Sequence, residues 1–139
     1  AVHYLQSLPP QASSEKPPKS QVPQAAESSL LGRGGPLYTT HCADCHGQQG
    51  EGKTRQFPAL AGNPQVLAPN PVNAILMILN GGYAPSTQRN PYPHGMPPFR
   101  NVLKPIEVAA IASYIRNSWG NQASFVSELD VERNRSSAK

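Results

Sequence analysis

Only two of the 139 residues are cysteine, Cys42 and Cys45. A structural zinc site normally draws four Cys or His ligands in two pairs, and no second pair exists, since the other histidines are the scattered His3, His41 and His94. A thioredoxin-like dithiol expects a βαβ pattern around it, and that is missing too. No stretch approaches the eighteen or so uninterrupted apolar residues that a membrane span requires. The 12 Lys and Arg outnumber the 8 Asp and Glu for a formal charge of +4. They are scattered, without the clustering among aromatics that a nucleic-acid footprint needs. Gly47-Gln48-Gln49-Gly50-Glu51-Gly52-Lys53 lacks the Gly-Lys-Ser/Thr ending before a helix that a phosphate cradle requires, so it reads as a polar turn. Apolar residues are also few: 37% of the chain, diluted by 16 Pro and 11 Gly, leaves a modest core for a single domain.

What is present starts with Cys42-Ala43-Asp44-Cys45-His46. Two Cys separated by two residues lie about one helical turn apart, so both sulfurs face one porphyrin edge for bonding to its vinyl groups. The next side chain, His46, then reaches the iron. One covalent haem c is the expected cofactor. Closing short helices around that plate removes roughly several hundred Å2 from water, on the order of several kcal/mol, which offsets the thin core.

Composition divides the chain. Residues 1–10 carry Val2, Leu5 and Leu8 at helical spacing and end at Pro9-Pro10. Residues 11–29 are Pro-, Ser- and Gln-rich, bury too little to order themselves, and read as a semi-stiff linker. The folded domain is expected over 30–126, followed by a tail at 127–139. In that tail Ser127-Glu128-Leu129-Asp130 has the form of a capping box opening one short helix.

Within the domain, Gly32-Arg33-Gly34-Gly35-Pro36 suits a helix start with Pro in the first turn. Leu37 and Tyr38 follow as core residues, and Gly34 or Gly35 permits a close helix crossing. Phe57-Pro58-Ala59-Leu60-Ala61-Gly62-Asn63-Pro64 is apolar but twice broken by Pro, hence a loop. Residues 71–80 form a short apolar helix closed by Gly81-Gly82. Over 105–119 a stripe of Ile106, Val108, Ala109, Ile111, Ala112 and Ile115 predicts a last helix packed on the first. Tyr114 and Trp119 then serve as packing residues.

The second ring nitrogen of His46 needs an acceptor, and the Pro58 carbonyl is the candidate, with a plain turn proline as the competing reading. Four side chains compete for the iron opposite His46. His41 is tethered to the proximal side by Cys42, and Met77, among Ile and Leu, reads as core filling. His94 and Met96 remain, two residues apart in the 82–99 loop. Met96 is favoured because Gly95 allows close approach and Pro97-Pro98 hold the loop. Methionine raises the reduction potential, whereas a bis-His pair through His94 lowers it. Either ligand fills the iron and points to electron transfer. An open iron position would instead make a haem enzyme or gas sensor, and a haem serving only as ballast would leave a docking module.

The runs CADCHG, FPALAGNP, NAILMILNGG, HGMPPF and EVAAIASYIRNSWGN together resemble a class I c-type cytochrome domain, over about 30–126. The resemblance implies an all-α fold of short helices and loops wrapped around one haem, first and last helices crossing. It also implies thioether attachment at Cys42 and Cys45, His46 as proximal ligand supported at Pro58, and Met96 as distal ligand. More narrowly, PALAGNP and YIRNSWGN are similar to domains of triple-haem cytochrome subunits of membrane-associated bacterial dehydrogenases for alcohols, aldehydes, gluconate or nicotinate. That similarity implies no catalytic residues. It implies electrons taken from a dehydrogenase catalytic subunit or other haem domains and relayed to quinone, a terminal oxidase or the respiratory chain. It further implies a periplasmic site, at the outer face of the inner membrane. The chain departs from that family in holding one motif rather than three. Its helix-like 1–10 segment and linker fit the excised last domain of a longer subunit. Arg100, beside the Met96 loop, reads as a solvated surface residue, with pairing to a haem propionate as the competing reading.

Overall fold

The computed structural model describes residues 22–82, 88 and 95–137. The 1–10 segment, the start of the linker, and His3 and His94 lie outside them. The described residues form six helices, in order: α1 (Gln24–His41), α2 (Ala43–His46), α3 (Pro64–Leu67), α4 (Val72–Asn80), α5 (Pro105–Arg116) and α6 (Glu128–Ser137). Among the described residues there is no strand, only the isolated bridges Lys53–Phe57 and Gly82–Met96. The fold is all-α, as the sequence predicts, and no described helix is long and apolar enough to cross a membrane.

The frame is the crossing of α1 and α5. Gly34 sits so close to α5 that a Cβ there would lie 2.7 Å from the Tyr114 Cβ and 2.8 Å from the Ala110 carbonyl carbon. Contact at that range needs a missing side chain on one helix and a small one on the other, which the fully buried Ala110 provides. Val108, Ile111 and Ile115 extend the same buried stripe, each contributing about 1.5–3 kcal/mol by burial. The Lys104 N–H donates to Glu107 Oε1 at 2.9 Å and Pro105 takes the first helical position, so the start of α5 is capped. At the far end of the crossing an aromatic wedge closes the gap. Tyr38 lies 5.5 Å from Tyr114 and 5.0 Å from Trp119, and Tyr114 meets Trp119 edge-on at 5.7 Å.

Three segments differ from the sequence reading. First, α1 begins at Gln24 rather than near Leu30, because Val22 and Leu30 are both buried and so tie down residues that composition assigns to the linker. Second, Pro36 lies inside α1 and not in its first turn. The carbonyl that loses its helical donor belongs to Gly32, four residues back, which is exposed to solvent. Third, the tail at 127–139 carries the short helix the sequence predicts, but that helix is packed onto the core. Ser127 and Asp130 form the reciprocal capping pair, each N–H donating to the other's side chain at 3.1 Å, and α6 packs on α4 and α5 with Val131 fully buried. Sequence composition sees only the polar outer face of such a helix.

Candidate haem site

The proximal half grows out of the end of α1. The Cys42 N–H donates to Tyr38 O at 2.8 Å, and the His46 N–H donates to Cys42 O at 2.9 Å. The motif therefore coils into the single turn of α2, and His46 is 8% exposed. Cys42 is half-buried and Cys45 exposed, and the two are not joined as a disulfide. Burial, and then the neighbouring Cys45, pushes the Cys42 thiol up to about 11, so it stays protonated at neutral pH.

The polar turn then doubles back. Gly52 N–H donates to His46 O at 2.7 Å, Leu60 and Ala61 N–H donate to Gly50 O at 2.8 and 3.0 Å, and Lys53 and Phe57 exchange two bonds of 2.9 Å. Gly50, at φ +64°, lies flat against Trp119, where a Cβ would stand 2.5 Å from the indole. This folded loop brings the Pro58 carbonyl to 2.9 Å from His46 Nδ1. A carbonyl can only accept, so Nδ1 carries the proton and Nε2 keeps its lone pair for a metal. Tyr38 O–H donates to Gly47 O at 2.6 Å. Burial first, and then Cys42, Glu51 and Tyr114, holds that phenol well above its ordinary value.

The Met96 half is assembled from distant pieces. Gly82 N–H donates to Met96 O at 3.1 Å and Met96 N–H to Gly82 O at 2.8 Å. Phe99 and Arg100 N–H then donate to Ile78 O and Leu79 O at 3.0 and 3.2 Å. Residues 96–100 thus form a strap laid along the end of α4. Gly81, at φ +63°, lets it lie close, since a Cβ there would come within 2.9 Å of Pro98 N. His41 contacts the strap, its ring edge-on to Phe99 at 5.7 Å. His94 lies outside the described residues.

Two residues sit where the sequence did not put them. Met77 is 48% exposed rather than in the core. On α4 it falls between the turns that bury Ile75, Ile78 and Leu79, and a helix apolar all round buries only the face that has a partner. Arg100 is partly buried, and its guanidinium donates to Arg135 O and Asn80 Oδ1, both at 2.8 Å.

Sequence reasoning also missed three buried polar side chains that set the loops. Arg116 donates to Val66 O, Ala68 O and Ser124 O at 2.8–2.9 Å, with desolvation lowering its pKa. Ser113 Oγ exchanges bonds with Val126. Asn121 takes the Gly62 N–H at 2.8 Å and donates to Leu60 O and Ile115 O. Ser113 and Arg116, three apart on the apolar stripe of α5, were the available signal.

The donor set fits a c-type haem: two reduced thiols one turn apart, a histidine whose Nδ1 is already engaged, and a methionine on a pinned strap. Among the described residues no three His, Cys, Asp or Glu side chains gather to hold a bare metal ion.

The family model for cytochrome c matches residues 32–119. The chain is 35% identical over 137 residues, 95% of its own length, to the cytochrome c subunit of a quinone-dependent alcohol dehydrogenase from Gluconacetobacter polyoxogenes, of which it covers 29%. It is 36% identical over 115 residues to the corresponding subunit from Gluconobacter oxydans (strain 621H), 78% of this chain and 24% of that one. It is 35% identical over 91 residues to the gluconate 2-dehydrogenase cytochrome c subunit of Pantoea cypripedii, 65% of this chain and 21% of that one. The chain thus spans under a third of the length of the curated relatives it matches.

Proposed function

The chain belongs to the cytochrome c family, and from that premise we propose a six-coordinate electron-transfer domain with one haem c, ligated by His46 and Met96. The family implies electron transfer by a c-type haem, and the relatives are named as cytochrome subunits of dehydrogenases. Haem, when bound, supplies a one-electron Fe(III)/Fe(II) couple. Cys42 and Cys45 hold it as thioethers. His46 presents Nε2, its ring fixed and its basicity raised by the Pro58 carbonyl. Met96 provides the soft ligand that favours ferrous iron.

The observation that carries this reading is the pairing of Met96 with Gly82. It fixes the backbone on both sides of that side chain, so little ordering entropy remains to oppose ligation. With His46 and Met96 both engaged, the bound haem would exchange electrons and leave no position for a substrate. Its donor is a dehydrogenase catalytic subunit or another haem domain, its acceptor is quinone or the respiratory chain, and it works in the periplasm.

The test is an absorption spectrum of the holoprotein, oxidised and reduced, extended to the weak near-infrared band of methionine-bound ferric haem. The expected result is c-type reduced bands together with that band, which disappears in Met96→Ala. Haem without the band transfers the assignment to His94 or to an open iron position. A protein without haem ends the reading built on Cys42, Cys45 and His46.

A further inference from the structure

We propose that Arg100 and the C-terminal helix α6 act together as a clamp that keeps Met96 on the iron, an inference that rests on the His/Met reading above. Arg100 is the last residue of the strap that begins at Met96. Its backbone N–H is held by Leu79 O, and its side chain forks to two helix ends. One arm reaches Asn80 Oδ1 at the last residue of α4, and the other reaches Arg135 O in the last turn of α6. The carbonyls of a helix's last turn have no partner within the helix and carry the negative end of its dipole, so a planar cation with five donors suits this place.

The clamp closes a chain of contacts. Val131, fully buried, seats α6 on the core. The end of α6 holds Arg100, and Arg100 ends the strap whose other end is Met96, itself paired to Gly82. Helix α6 lies beyond residues 32–119, the part matched by the family model. The site is partly open, in a surface groove lined by Arg100, Pro105, Glu132 and Arg135. The effect of each arm is correspondingly moderate.

Imidazole competes with methionine for ferric haem, and its apparent affinity measures how firmly the methionine is held. Two principal variants of the holoprotein, with their combination and Arg100→Lys beside them, are compared with the parent: Arg100→Gln, and a chain ending at Arg133, which removes the Arg135 carbonyl but keeps Val131 and the capping pair. Far-UV circular dichroism reports the fold. The expected result is near-infrared bands of normal position in all three proteins at neutral pH. Imidazole binds about tenfold more tightly to Arg100→Gln, which loses both arms, and by a smaller factor to the shortened chain, which loses one; it binds the combined variant no more tightly than Arg100→Gln alone. Arg100→Lys, which keeps the charge and loses the fork, falls between. An imidazole affinity of Arg100→Gln within twofold of the parent, or effects that multiply in the combined variant, overturns the clamp while leaving the ligand assignment intact. A parent without the near-infrared band overturns the ligand assignment and the clamp with it.

Discussion

The two halves of the site are built in opposite ways. On the His46 side, most of the residues that hold the imidazole run from Tyr38 to Ala61, joined by short backbone bonds within one stretch of chain, with Trp119 and Asn121 bracing only the outer part of that loop. On the Met96 side, the strap is held by residues 78–82 and by α6, which comes more than thirty residues later. The contrast is one of loop-closure entropy. Local bonds cost little chain freedom, whereas the Met96 strap forms only when distant helices are already in place. The histidine side should therefore survive injuries that loosen the methionine side.

The heaviest injury strikes the frame that both sides share. Gly34→Val forces a side chain against the Ala110 carbonyl, and we expect a loss of about 3 kcal/mol or more in urea unfolding. The neighbouring Gly35→Ala meets only the Tyr114 ring at 3.4 Å and should be neutral or slightly stabilising. Equal effects at the two glycines would mean that the crossing does not depend on Gly34.

Next comes Arg116→Met, which leaves the Val66, Ala68 and Ser124 carbonyls without their donor. About 2–3 kcal/mol of stability should be lost by the same assay. Smaller again, and confined to the methionine side, is Gly81→Ala. The left-handed backbone and the crowding against Pro97 and Pro98 cost about 1–2 kcal/mol. The near-infrared band should weaken while covalent haem, detected on a denaturing gel, is unchanged.

Smallest is Tyr38→Phe on the histidine side, which removes the bond to Gly47 O for about 1 kcal/mol. This variant also carries a pH signature. The folded protein holds the Tyr38 phenol well above its ordinary value of 10.0, so between the two values the unfolded chain has released a proton that the folded chain retains. Stability from this group is full below pH about 10 and declines as the pH rises further. In the Phe variant that part of the alkaline slope should be absent from unfolding curves taken between pH 9 and 11, without effect on the methionine band.

Legibility in the sequence follows the same division. The turn around His46, the cap at Gly81, the α5 stripe and the capping pair at Ser127 are short-range patterns, and all are readable from spacing. The structure places the Pro58 carbonyl at His46 and Met96 against Gly82. What spacing could not show was which face of α4 would find a partner, and hence that Met77 lies half in solvent. Nor could it show that Arg100 would be gripped by α6, or that Pro36 would sit inside a helix lengthened by the burial of Val22 and Leu30.

By itself, then, the sequence pointed to a covalent c-type haem and to the helical class. Thiol spacing, the adjacent histidine and apolar periodicity are properties of a few consecutive residues, and covalent geometry enforces them wherever the chain goes. Only the tertiary structure decided how the Met96 strap is held, where the folded region begins and ends, and which polar residues are buried. Each of those depends on surfaces brought together from far apart in the chain, where packing and the need to satisfy every buried donor and acceptor outweigh local preference.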